Sequence, residues 1–195
     1  VYNNPTEGSG IWNAFFDDLK SRGLEKVGLI VSDGLNNIEE VAERHFSGVE
    51  VQLCSVHLQR EICNRVRPKD KRAISSKLSE VFRKNDPKRT VEDGVEDFSK
   101  FAKEWQEHYP FLSKIADGER IYYYFTYLKY DVVVRRYIHS TNWIERFNRQ
   151  IKKGATYKCA FPSVDSALHL VGSIALNSSY LRRRIGDLIG GLKKL

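Results

Sequence analysis

Cysteine is scarce in this chain. Cys54, Cys63 and Cys159 are too few and too scattered for a disulfide framework, which makes a reducing cytoplasm the default compartment. Long apolar runs are missing too. None approaches the roughly 20 residues that span a bilayer, so no transmembrane helix is expected. The opening V-Y-N-N-P-T-E-G has neither the basic region nor the apolar core of a signal peptide. There is no internal repeat and no low-complexity tract. What remains is ordinary globular composition, 41% hydrophobic and 29% charged over 195 residues. Such a chain can bury one real core, or one core plus a small insert.

Positive charge is also sparse at first and abundant later. Residues 1–50 hold 4 Lys/Arg against 9 Asp/Glu, whereas residues 51–195 hold 28 against 16. That asymmetry points to a polyanionic partner, nucleic acid, for the second part. A merely soluble basic surface is the plainer alternative.

Periodicity divides the chain. Ile11, Trp12, Phe15, Phe16 and Leu19 recur at helical spacing, and Gly23 stops that helix. Val27 to Val31 is a short β-branched run that reads as a strand buried on both faces. A helix over 37–46 and a strand over 49–53 follow. Alternation of helix and strand predicts an α/β core with a parallel sheet. A further helix is expected from Ser55 to Arg67. From Pro68 to about Tyr124 the pattern turns wholly helical, with periodic segments at 73–82, 91–108 and 111–116 broken by Asp86-Pro87 and Tyr109-Pro110. The aromatic run Tyr122 to Tyr130 is read as packed core rather than a base-stacking platform. A helix from Asn142 to about Lys153, a loop through Gly154 to Pro162, and a last helix from Val164 to Leu176 complete the reading.

Asp33 carries the first chemical signal. It follows the first strand in Ser32-Asp33-Gly34, and open α/β sheets bind ligands at the carboxyl ends of their strands. The competing reading is an Asp capping the next helix. Glu145 carries the second. Glu145, Asn148, Arg149 and Lys152 share one helical face beside the apolar stripe Ile144, Phe147 and Ile151. This is either a solvated ion pair, or a metal-binding carboxylate whose basic neighbours hold phosphates. Cys54-x-x-His57 follows the second strand. A structural zinc site needs four ligands, and no second pair has finger spacing, so zinc is disfavoured. His57 either orients a carboxylate or DNA, or is a satisfied core histidine. His45, His108, His139 and His169 form no constellation.

The pieces occur in a particular order: strand-Asp, strand-C-x-x-H, helical insert, S-T-N-x-I-E-R-F-N-R-x-I-K-K, then F-P-S-x-x-S-A-L-x-L. In that order the chain resembles the mutator-type transposases of bacterial insertion sequences, a DDE family on a ribonuclease H-like fold. The resemblance implies an α/β ribonuclease H-like domain with an all-helical insertion. Residues 1–67 would form the second half of the core, 68–124 the insertion, and 125–195 the helices completing the core plus a basic tail. It implies that Asp33 and Glu145 are catalytic carboxylates and metal ligands. Arg146, Asn148, Arg149, Lys152 and Lys153 would contact DNA, with Cys54 and His57 accessory to the site.

The implied reaction is DNA cleavage and strand transfer, with water and then a DNA 3′-hydroxyl as nucleophile. The implied cofactor is a pair of Mg²⁺ ions about 3.5–4 Å apart. Asp33 and Glu145 are then expected within roughly 4–8 Å of each other. The family's first catalytic aspartate is expected upstream of Val1. The 195 residues therefore read as a carboxyl-terminal transposase part or a decayed copy, inactive alone. The alternative function is a non-catalytic DNA-binding or assembly fragment. Expected partners are transposon-end and target DNA and further copies of the chain, at the nucleoid in a bacterial cytoplasm.

Overall fold

The structure is a computed structural model that describes residues 9–34, 37–158 and 160–178. The chain divides into two compact units, Glu7–Ser140 and Val1–Thr6 together with Thr141–Leu195.

The larger unit begins with α1 (Ser9–Ser21), β1 (Leu29–Ser32), α2 (Ile38–His45), β2 (Glu50–Leu53) and α3 (Ser55–Arg65). Phe16 of α1 meets Phe46 edge-on, with ring centroids 5.4 Å apart. Around that pair Ile38, Val41, Ala42, Val49, Val51 and Leu53 are buried, and Trp12, Phe15 and Leu19 pack against them. The helical periodicity of α1 and the alternation around β2 thus feed one core. β1 and β2 pair in parallel, Leu29 opposite Glu50 and Ser32 opposite Leu53. The strand expected to be buried on both faces is only half-buried at Leu29, Ile30 and Val31. Among the described residues β1 has one neighbour, β2, so it is an edge strand with incomplete cover.

The rest of this unit is helical: α4 (Lys71–Val81), α5 (Val91–Trp105), α6 (Phe111–Ala116), two 3₁₀ turns (Glu119–Tyr124 and Thr126–Lys129) and α7 (Val132–Ile138). A capping box starts α5: the Thr90 hydroxyl accepts from the Asp93 N–H while the Asp93 carboxylate accepts from the Thr90 N–H. Ile74 and Leu78 of α4 and Phe98 of α5 are fully buried. Phe125 stacks on Phe82 with ring centroids 4.9 Å apart, and Gly94 of α5 lies flat against the Phe125 ring. The aromatic run packs inward in part: Phe125 and Tyr127 are fully buried, Tyr123, Tyr124 and Tyr130 are half-buried, and Tyr122 is exposed. Burial pushes the Tyr127 hydroxyl up to about 12.

One polar side chain fastens the 3₁₀ turns to the sheet. Gln52 in β2 is fully buried. Its amide donates to the Tyr124 carbonyl at 3.1 Å and accepts from the Tyr127 N–H at 2.5 Å. Both ends of the amide are satisfied, which makes its burial tolerable.

The helix α7 has no counterpart in the sequence reading, because Val132-Val133-Val134 is a strand-like run. Asp131 caps it, accepting from the Val133 N–H at 2.8 Å. Buried Arg135 then donates to the carbonyls of Tyr130, Asp86 and Leu128 at 2.8, 2.6 and 2.9 Å.

The smaller unit contains α8 (Asn142–Lys158) and α9 (Val164–Asn177). Ser163 caps α9, its hydroxyl accepting from the Ser166 N–H at 3.2 Å. α8 runs through Gly154, where a loop is expected from the sequence. A Cβ at Gly154 would stand 3.3 Å from the Leu170 methyls and 3.4 Å from Ile174 Cδ1. This glycine therefore permits close helix approach rather than ending a helix. Neither helix has a fully buried residue, and Ile144, the first residue of the expected apolar stripe, is exposed.

Candidate active site

Parallel pairing brings two of the sequence signals to one end of the sheet. Asp33 leaves the carboxyl end of β1 and Cys54 that of β2. The Cys54 N–H donates to the Ser32 carbonyl at 2.7 Å. Asp33 is exposed. It does not cap α2, whose N-cap is Asn37 in the left-handed region at φ 62°. Gly34, with φ +96°, turns the chain away from the strand. The carboxylate thus stands on a tight turn at the place where α/β sheets present ligand-binding groups. Leu35 and Asn36 lie outside the described residues.

Cys54 is fully buried and opens α3, and His57 is half-buried on that helix's first turn. The start of α3 is anchored from α7's end: the Ser55 N–H and hydroxyl both donate to the His139 carbonyl, at 3.1 and 2.9 Å. The His139 ring lies within hydrogen-bond distance of Lys84 Nζ, 3.2 Å, and of the Arg135 carbonyl, 3.1 Å. Burial, with Lys84 adding to it, pushes its pKa below the usual histidine value.

The structure adds residues to this end of the sheet that sequence reasoning missed. Arg120, on the first 3₁₀ turn, pairs with Glu39 of α2 at 2.7 Å and donates to the Gly34 carbonyl at 3.4 Å. The Glu39 side chain is only 8% exposed, so its charge is held by that partner. Tyr124, from the same turn, has its hydroxyl 3.6 Å from where a Gly34 Cβ would stand. Burial raises the Tyr124 pKa, and Arg120 opposes that rise. No local pattern marks these residues, because 81 positions separate Arg120 from Glu39.

The remaining candidates lie on α8. Glu145 is half-buried in its first turn and its N–H donates to the Thr141 carbonyl at 3.0 Å. Arg146, Asn148, Arg149, Lys152 and Lys153 are exposed. Cys159 and the basic run Arg182, Arg183 and Arg184 lie outside the described residues.

Asp33 and Glu145 supply hard oxygen donors, the kind that Mg²⁺ takes. Among the described residues, however, no three His, Cys, Asp or Glu side chains converge to hold a metal ion. No helix among them is long and apolar enough to cross a membrane.

The family described as "Transposase, Mutator family" matches residues 2–182. The chain is 29% identical over 173 residues to the transposase for insertion sequence element IS1201 of Lactobacillus helveticus, a match covering 89% of this chain and 46% of that protein. A probable insertion-sequence transposase of Corynebacterium diphtheriae is 30% identical over 166 residues, covering 83% and 46%. The transposase for IS256 in transposon Tn4001 of Staphylococcus aureus is 25% identical over 178 residues, covering 88% and 43%. The chain spans less than half the length of these relatives.

Proposed function

The chain belongs to the Mutator family of transposases, and on that premise we propose that it forms catalytic-domain sequence for DNA transposition by phosphodiester cleavage and strand transfer. One observation carries the reading: an exposed carboxylate, Asp33, on a turn at the carboxyl end of a parallel strand, directly beside the start of the C-x-x-H helix.

In this reading the fold is the ribonuclease H-like core, with residues 1–67 and 125–195 building the core and 68–124 the insertion. Asp33 and Glu145 are two of its acidic ligands. Bound Mg²⁺ would polarise a phosphoryl oxygen and lower the pKa of an attacking water. In this reading a further acidic ligand comes from elsewhere in the whole transposase. Arg146, Asn148, Arg149, Lys152 and Lys153 on α8 neutralise and orient the DNA backbone. Cys54 holds the start of α3 in the core, and His57 orients a carboxylate or the DNA beside it. The chain acts on DNA as a homo-oligomer, at the bacterial nucleoid.

The test is strand transfer by the whole transposase. Asp33→Ala and Glu145→Ala should each abolish it while leaving DNA binding intact, because a hard-cation site loses a ligand. Strand transfer at the unmutated rate by either variant would overturn the assignment. The exposed basic residues of α8 support a second reading, in which the chain is a non-catalytic DNA-binding or assembly part. Transfer that survives both substitutions, with salt-sensitive DNA binding, would support it.

A further inference from the structure

We propose that Arg120 and Tyr124 are substrate-positioning residues that hold the DNA phosphate backbone against the Asp33 turn. This deepens the reading above and rests on it.

The turn at Ser32-Asp33-Gly34 receives two side chains from one short element. Arg120 and Tyr124 sit at the second and last positions of the 3₁₀ turn Glu119–Tyr124, whose end is locked to β2 through Gln52. Arg120 donates to the Gly34 carbonyl at 3.4 Å, and the Tyr124 hydroxyl faces the same glycine. The Arg120 side chain is 43% exposed although its partner Glu39 is 8% exposed. Here the pair is graded, with the carboxylate inside and the cation toward solvent.

The chemistry selects the ligand. Asp33 is exposed, and at close range its charge would still repel a phosphodiester brought to this turn. A cation fixed beside it offsets that repulsion. Arginine suits the task because its planar fork presents several N–H groups to phosphate oxygens at once. Glu39 takes the Nε and Nη2 edge of the fork, which fixes the plane of the guanidinium. A tyrosine hydroxyl whose pKa is raised by burial stays protonated, so it can donate to a phosphate oxygen.

The experiment measures affinity of the full chain for a short fluorescent DNA duplex across a salt series, with chelator present. That readout is independent of metal and of catalysis. Each phosphate contact contributes close to one unit of slope in log K against log salt. Arg120→Gln should lower the slope by about 1. Because this change strands the Glu39 charge, thermal unfolding is followed alongside. The double variant Glu39→Gln, Arg120→Gln removes both charges and should regain thermal stability while keeping the reduced slope. Glu39→Gln alone should keep the full slope, and Tyr124→Phe should weaken affinity with the slope unchanged.

A wild-type slope in the folded double variant would overturn the proposal and reduce Arg120 to a structural partner of Glu39. If Asp33→Ala still abolished strand transfer in the whole transposase, the proposed function would survive that result. A wild-type chain without salt-dependent DNA binding would overturn both.

Discussion

His139 shows how one side chain couples two segments and makes the fold sensitive to pH. Its carbonyl anchors the first turn of α3, and its ring is packed against Tyr127 and held beside Lys84. Burial disfavours the imidazolium, and the nearby ammonium adds to that, so the folded pKa lies below the ordinary 6.5. The unfolded chain then binds a proton at a pH where the folded chain does not. Stability from this residue is complete above the unfolded value of 6.5. It is lost as pH falls through the folded value. Urea unfolding at a series of pH values should show stability declining below neutrality, and His139→Gln should flatten that decline. An unchanged pH profile in the variant would rule out His139 as the source.

At the level of elements, two glycines inside helices act through what lies beside them. Gly154 lets α9 approach α8, since a Cβ there would stand 3.3 Å from the Leu170 methyls and 3.4 Å from Ile174 Cδ1. Gly94 is the harder constraint. A methyl there would overlap the Phe125 ring, which is itself stacked on Phe82. Alanine gains about 1 kcal/mol of helix propensity over glycine. Overpacking a filled core costs roughly 1–3 kcal/mol, and the ring has nowhere to move, so the second effect wins. Gly94→Ala should lower stability by up to about 2 kcal/mol in chemical denaturation, as the balance of those two effects. A stabilised variant would mean that α5 can shift off the 3₁₀ segment.

At the scale of the whole molecule, the decisive feature among the described residues is a small two-stranded sheet. β1 pairs only with β2 among the described residues, and its apolar residues are half-buried. Two-stranded sheets are marginal alone, and unpaired edges promote association. The helices α8 and α9 add exposed Ile144, Tyr157, Val164 and Leu176. Light scattering of the purified chain over a concentration series should therefore report association rather than a single monomeric species. A compact monomer at all concentrations would show that the β1 edge is covered in solution.

Local pattern carried much of this protein. The 3.6-residue period placed α1, α5 and α9, and the end of an apolar run placed Asp33 where a strand stops. The motif order from Ser32 to Leu170 was enough to identify the family, because it lies in the chain itself. The tertiary structure decided the rest. It made a helix of three valines by capping it with Asp131 and pinning Arg135 to three carbonyls. It also left β1 half-covered, because burial depends on neighbours rather than on composition. Above all it brought Gln52 to Tyr124 across 72 positions and Glu39 to Arg120 across 81. Such pairings leave no periodic trace, since each polar residue taken alone looks like surface. Only the packing of the 3₁₀ turns onto β2 turns them into a buried latch and a cation bonded to the Gly34 carbonyl.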